Sequence, residues 1–118
     1  MSAPTVTFDA FEVVRVPFPF TDRDASKNRP ALVLSSADSF GQPCGHSVLA
    51  MITSAGNPPW PLDCLFGDLV SAGLPSPSVV RSKLFTPDHR LVRGHLGRLA
   101  PPDEDVVRRA MRAVFGWA

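Results

Sequence analysis

The sequence predicts a small, mainly β barrel that is closed by one C-terminal α-helix. The chain has 118 residues, which is enough for one domain with a single core. Thirteen prolines and eight glycines exclude long helices over the whole chain, because both residue types interrupt helices. Several apolar runs are short and bounded by turn-forming residues, which favours strands. We therefore expect a single domain over residues 1–118, with residues 1–9 as a loose lead-in.

The first strand is predicted at residues 12–18, which are rich in β-branched side chains. Pro17 and Pro19 end it, because proline lacks the N–H group that a central strand requires. Residues 21–28 are polar throughout, and this composition is typical of an exposed, mobile loop.

Residues 30–36 and 47–53 are apolar runs that are too short for helices, and we interpret them as two buried core strands. The connector at residues 37–46 holds two glycines and a proline, so it can reverse the chain and make the two strands antiparallel.

The register of this core pair has a consequence for chemistry. Pairing Val33 with Ala50 brings Arg29, at the start of the first core strand, beside Thr53 and Ser54 at the end of the second. A guanidinium group and a hydroxyl group then meet at one end of the sheet.

The remaining elements are one helix and further short strands. Residues 62–73 are interpreted as a strand followed by a turn, and residues 78–86 and 95–99 as two more strands. Residues 101–105 are predicted to open the helix, because prolines at the entry and acidic residues in the first turn suit a helix N-terminus, and Gly116 is expected to end it.

The overall charge excludes a strong global attraction to nucleic acid or to membranes. The formal net charge is +1, so any site for a polyanion must come from local clustering. Cys44 and Cys64 form neither a zinc-binding pattern nor a disulfide framework. No apolar stretch is long enough to span a membrane, and we expect a soluble, cytoplasmic protein.

Arg29 is the first candidate functional residue, because a guanidinium group binds phosphate oxygens through a planar fork and stays charged. The alternative interpretation is an ordinary exposed arginine. The three histidines His46, His89 and His95 could act in acid–base chemistry, but their spacing does not indicate a metal site, and surface positions are favoured for them.

Several segments resemble, in the same order, the MazF/PemK family of toxins from toxin–antitoxin pairs. Together they extend over roughly residues 11–115, and they are residues 13–22, 27–35, 52–54, 72–75, 78–80, 83–86 and 96–99. The combination of a strand, a polar loop, an Arg-Pro pair and a second strand is the most specific part of the resemblance.

This resemblance implies an SH3-like barrel that dimerises and cleaves single-stranded RNA without a metal or other cofactor. The family's catalytic Arg and Thr fall on Arg29 and Thr53. In the implied reaction the 2′-hydroxyl of the RNA attacks, which leaves a 2′,3′-cyclic phosphate and a 5′-hydroxyl. We assign Arg29 to stabilising negative charge on the phosphate and Thr53 to positioning. The expected RNA-binding residues are Lys27, Ser54, Arg81 and Lys83.

The group that removes the 2′-hydroxyl proton stays open among the three histidines, Glu12 and a water molecule. The chain departs from the family at Phe11 and Glu12, where Gly-Asp is common, and in the stretch around Trp60 and the connector at residues 37–46. We expect these loops to set base preference.

The resemblance also implies a protein partner, a small antitoxin whose disordered tail covers the basic residues. Two alternatives remain. One is a toxin like the related CcdB proteins, which poison DNA gyrase by contact, and the other is a catalytically silent barrel that only holds its antitoxin.

Overall fold

A computed structural model describes residues 7–18 and 27–117. Its strands are β1 (Glu12–Phe18), β2 (Lys27–Val33), β3 (Leu49–Ser54), β4 (Cys64–Leu65), β5 (Ser78–Phe85) and β6 (Gly94–Arg98). Its α-helices are α1 (Gln42–Cys44), α2 (Leu69–Ala72) and α3 (Pro101–Phe115), with a π-helical turn at Ala37–Gly41 and a 3₁₀ turn at His89–Leu91. The predicted mainly β fold with a C-terminal helix is confirmed.

The six strands form one antiparallel sheet in the order β4-β5-β3-β2-β1-β6. The sheet curls into a half-barrel. The ammonium group of Lys83 on β5 lies 5.1 Å from the ring centre of Phe18 on β1, although β3 and β2 separate these strands. In a flat sheet three strand spacings would separate them by about 14 Å.

Alternation along the strands gives the sheet two apolar faces. One face packs under α3 and contains buried residues of strands and helix, among them Val13, Leu32, Ile52, Val80 and Val107. The other face, called here the distal face, is built on Val14, Val16, Ala31, Val33 and Leu49, all of them 0 % exposed. Both faces are therefore filled at their centres, and polar side chains are left to the ends of the strands.

Helix α3 is anchored to the loop after β4 by a buried carboxylate. Asp103, in the first turn, accepts hydrogen bonds from the backbone N–H groups of Gly67 and Asp68 at 2.9 and 3.0 Å. The helix ends as predicted at Gly116, whose φ of +68° is a left-handed conformation that glycine adopts without strain.

The second strand begins earlier than the sequence predicted. It starts at Lys27, not Pro30, because Phe18 and Pro17 of β1 pair with Lys27 and Asn28. The rest of the predicted mobile loop, residues 21–26, lies outside the described residues.

The interpretation of residues 62–73 as a strand and a turn is largely wrong, because only Cys64–Leu65 is a strand. Leu69–Ala72 is a short helix, which Asp68 begins by accepting a hydrogen bond from the backbone N–H of Ser71. Gly73 ends it at a φ of +72°. The Asp-x-x-Ser spacing followed by glycine is the capping signal that was missed.

The predicted register of the core pair is wrong by one residue. Val33 pairs with Leu49, and Leu32 pairs with Ala50. Directly opposite residues share a face, so the predicted pairing of Val33 with Ala50 would have joined a residue of the distal face to one that packs under α3.

The predicted lead-in is described only in its last residues, because residues 1–6 lie outside the described part. Phe8 packs against the distal face, and the Asp9 carboxylate accepts a hydrogen bond from the backbone N–H of Ala37 at 2.9 Å. These two residues are held against the domain, in contrast to a loose lead-in.

Candidate active site

Arg29 and Thr53 lie on adjacent strands at the same level of the sheet. The pairing of β2 with β3 ends at Ala31 and Met51. Arg29 lies two residues before Ala31 and Thr53 lies two residues after Met51, so both are two positions beyond the last pair. Because side chains repeat every second residue, both belong to the distal face. Both residues lie just beyond the end of this pairing, so the guanidinium and hydroxyl groups lie on one face at the same end of the two strands.

Arg29 is exposed, and it pairs across the sheet with Val16 of β1. Within residues 7–18 and 27–117 its guanidinium makes no ion pair or hydrogen bond. Its planar donors are therefore available for an anionic ligand.

The Thr53 hydroxyl is oriented by Asn57, whose side-chain amide donates a hydrogen bond to it at 2.6 Å. This bond uses the hydroxyl oxygen as an acceptor, so the hydroxyl hydrogen is left to donate to a ligand. Asn57 was not among the site residues predicted from the sequence. Its position in the turn just after β3, four residues beyond Thr53, is the signal that could have found it.

Two lysines extend the positive charge of the site. Lys27 pairs with Phe18, and the Lys83 ammonium lies over the ring of the same phenylalanine. Both lysines are exposed, and no carboxylate of the described residues pairs with either of them. With Arg29 they form a local cationic strip, although the net charge of the chain is only +1.

The structure places Arg81 in an ion pair. Its Nε and Nη2 atoms donate to the two carboxylate oxygens of Asp63 at 3.2 and 3.0 Å, and Nη2 also donates to the Pro58 carbonyl at 2.9 Å. The two side chains are only 12 % and 13 % exposed. These hydrogen bonds from Arg81 hold the pKa of Asp63 below its usual value. Because Asp63 and Pro58 occupy its Nε and Nη2 donors, Arg81 holds a loop, in contrast to the exposed Arg29.

Ser54 does not share the face of Thr53, because successive residues of a strand point to opposite sides. Its hydroxyl accepts a hydrogen bond from the backbone N–H of Gly56 at 3.2 Å, within the turn that follows β3.

The histidines and Glu12 lie away from Arg29 and Thr53. His95 Nε2 lies 2.9 Å from Glu12 Oε1. Glu12 is the first residue of β1, four residues before Val16, which pairs with Arg29. His89 Nε2 lies 2.7 Å from the hydroxyl oxygen of the buried Ser47, and the ring of His46 bonds the Cys44 carbonyl. Both of these contacts are near the other end of β3, where Leu49 pairs with the end of β5.

In the described part of the chain, no group of three or more His, Cys, Asp or Glu side chains is arranged to hold a metal ion. Within the same residues, no helix has the length and apolar character needed to cross a membrane.

The family model described as PemK-like, MazF-like toxin of type II toxin–antitoxin system matches residues 9–115. The chain belongs to this family. The predicted resemblance is thereby confirmed over nearly the whole sequence. A comparison with curated protein sequences found no match.

Solved structures of MazF toxins share the fold of this family member. One is in the MazE–MazF complex from Deinococcus radiodurans, at a TM-score of 0.76 and 23 % identity, with 96 % of this chain and 100 % of that chain covered. An endoribonuclease in complex with its cognate antitoxin, from a mycobacterial species, has a TM-score of 0.73 and 16 % identity, with 98 % of each chain covered. The Mycobacterium tuberculosis toxin MazF-mt6 has a TM-score of 0.69 and 20 % identity, with 91 % and 98 % covered.

Proposed function

We propose that this toxin is a metal-independent endoribonuclease that cleaves single-stranded RNA within a type II toxin–antitoxin system. The main support is that Arg29 and an oriented threonine hydroxyl lie at the same level of adjacent strands, and that Arg29, Lys27 and Lys83 form no ion pair within residues 7–18 and 27–117. Family membership agrees with this chemistry, since one solved structure with the same fold is described as an endoribonuclease.

In the proposed reaction the 2′-oxygen of the RNA attacks the adjacent phosphorus, and the bond from phosphorus to the 5′-oxygen breaks. The 2′-hydroxyl loses its proton as the new bond forms, and the leaving 5′-oxygen takes up a proton, so the products are a 2′,3′-cyclic phosphate and a 5′-hydroxyl. Arg29 stabilises the negative charge that builds on the phosphate oxygens, because its donors are already in place before the reaction. Thr53 donates its free hydroxyl hydrogen to the phosphate or to the 2′-oxygen and fixes the position of the reacting group.

Lys27 and Lys83, which both lie at Phe18, bind the RNA backbone next to this centre, where they neutralise phosphate charge. Because their ammonium groups are point charges without sequence preference, they contribute affinity and not base selection. The base preference comes from other surfaces.

The proposed protein partners are an antitoxin and a second copy of this chain, acting in the cytoplasm. Structures with the same fold include MazE–MazF complexes, which supports an antitoxin with acidic residues that cover the cationic strip. A homodimer is supported by the exposed apolar side chains of Val114, Phe115 and Trp117 at the end of α3, of which Phe115 and Trp117 border an apolar groove of about 420 Å³. Light scattering tests the dimer, and co-purification with the product of an adjacent small reading frame tests the antitoxin.

The deciding experiment is cleavage of a long single-stranded RNA in excess EDTA, with fragment ends identified by mass spectrometry. We expect cyclic-phosphate ends with the wild type and a rate at least about 10² lower for Arg29→Ala, the typical loss of one preorganised charge-stabilising donor. Arg109→Ala is the matched control, because Arg109 is an exposed arginine on α3.

Two results would overturn the proposal. The first is an unchanged rate for Arg29→Ala, since the variant is expected to fold normally with an unfolding free energy within about 0.5 kcal/mol of the wild type. The second is RNA that neither the wild type nor the variants cleave, although the RNAs tested contain many different sequences. This result would favour gyrase binding or a silent barrel.

A further inference from the structure

The Arg81–Asp63 ion pair holds the loop between β3 and β4 against β5. Besides the carboxylate of Asp63, Arg81 binds the Pro58 carbonyl at 2.9 Å, and the backbone N–H of Trp60 donates to the same carboxylate at 2.9 Å. The guanidinium carbon of Arg81 also lies over the Trp60 ring, 5.1 Å from its centre. Four contacts therefore converge on this short segment.

The Trp60 side chain is rigid and yet exposed. The residue is 45 % exposed, although tryptophan is among the most apolar side chains. Pro58, Pro59 and Pro61 surround it and restrict the backbone. One side of the ring lies against the cation of Arg81, so the position of the ring is set before any ligand arrives.

The same loop reaches the candidate active site. Asn57, three residues before Trp60, donates the hydrogen bond that orients the Thr53 hydroxyl. Arg81 pairs with Met51, on the strand of Thr53 and two residues from it. Asn57 and Arg81 therefore connect the tryptophan to residues next to Thr53, where the phosphate would bind.

The other tryptophan of the chain does not share this arrangement. Trp117 stacks on Phe115 at 4.7 Å between ring centres and 21° between planes, at the end of α3. A second aromatic side chain therefore covers one of its faces, and it lies on the helix side of the sheet.

We propose that Trp60 is a stacking platform for an unpaired nucleobase next to the phosphate held by Arg29 and Thr53. A preset aromatic ring beside a cationic strip is the combination that binds single-stranded nucleic acid, with the charges contacting the backbone and the ring contacting a base. This inference rests on the proposed function and adds to it the residue that contacts a base.

The test uses the full chain and single-stranded 2′-deoxy oligonucleotides of mixed sequence, which lack the attacking hydroxyl. In a Trp117→Phe background Trp60 is the only tryptophan, and we expect saturable quenching of its emission on binding. Trp60→Leu should bind about 5- to 150-fold more weakly, the value of one base–aromatic stack. Trp60→Phe should retain most of the affinity, because it keeps an aromatic ring.

An abasic oligonucleotide separates stacking from charge. It carries the same phosphates without bases, so its affinity should be the same for Trp60→Leu and for the wild type. Equal affinities of the Leu and Phe variants for the ordinary oligonucleotide, or an equal loss with the abasic one, would overturn the inference.

The outcomes also separate this inference from the proposed function. A protein that cleaves RNA but shows no effect of Trp60→Leu refutes the stacking platform alone. A protein that binds bases through Trp60 but never cleaves RNA refutes the nuclease and leaves the platform supported. Absence of any oligonucleotide binding by the wild type refutes the platform, whereas the cleavage experiment with RNA decides the nuclease.

Discussion

The Asp63→Asn substitution tests whether the Arg81–Asp63 pair holds the loop after β3. The substitution removes the negative charge that receives two hydrogen bonds at 3.2 and 3.0 Å, and it leaves a guanidinium of 12 % exposure without a counter-ion. Breaking a fully buried pair costs about 3–5 kcal/mol, and an exposed pair contributes about 0–1 kcal/mol. Since this pair is close to the buried limit, we expect a loss of about 2–4 kcal/mol in the free energy of unfolding.

The loss should depend on pH. Hydrogen bonding from Arg81 lowers the pKa of Asp63 from its usual 3.8 in the folded protein. A lowered folded pKa means that the stabilisation is complete above the unfolded pKa and disappears as the pH falls through the folded value. The difference between wild type and Asp63→Asn should therefore be largest near pH 7 and shrink below about pH 4.

Urea unfolding at neutral and acidic pH measures this difference, and Asp88→Asn is the matched control. Arg90 binds Asp88 at the same 3.2 and 3.0 Å, but the Arg90 side chain is 89 % exposed. The pKa of Asp88 is lowered to about 2, mainly by hydrogen bonds from Arg90, yet solvent screens the exposed pair. We expect no measurable change for Asp88→Asn. An equal loss in both variants, or none in Asp63→Asn, would refute the reasoning from burial.

Two further predictions concern how the helices hold the sheet, and both are measured by urea unfolding. Asp103→Ala should lower the unfolding free energy by about 2–4 kcal/mol, because two backbone N–H donors, one of them that of Gly67, lose their acceptor; a loss below 1 kcal/mol would contradict this. Gly97→Ala should cost about 1–3 kcal/mol, because its added Cβ would lie 2.6 Å from the carbonyl carbon of Ala72. Gly56→Ala is the control, since its Cβ would approach only a serine hydroxyl at 3.7 Å.

The elements with strong local signals were predicted well. Helix α3 has prolines at its start, apolar residues at helical spacing and a terminal glycine, and it was expected where it occurs. Strand β5 was predicted to end within one residue of its observed end. These signals act within a few residues of the chain, so no tertiary information is needed to interpret them.

The predictions were wrong where residues far apart in the chain determine the extent or the register of a strand. Lys27 and Asn28 were assigned to a loop from their polarity, but β1 pairs with them and makes them a strand. The register of the core pair was wrong by one residue, because only the packing of α3 and of the distal face shows which side chains must share a face.

The same distinction applies to the candidate site. Both Arg29 and Arg81 precede or lie within strands, and the sequence reasoning treated both as contacts for RNA. The structure separates them: the partner of Arg81 is Asp63, 18 residues earlier, and Arg29 has no partner among the described residues.

By itself the sequence determined the family, the mainly β class and the terminal helix, because periodicity, turn residues and short motifs are local properties. Only the tertiary structure decided which cations form no ion pair with the described residues, that Asn57 orients the Thr53 hydroxyl, and that Arg81 lies over the Trp60 ring. The physical reason is that hydrogen bonds and ion pairs depend on distances of about 3 Å. Such distances between residues far apart in the chain are set by strand pairing and packing.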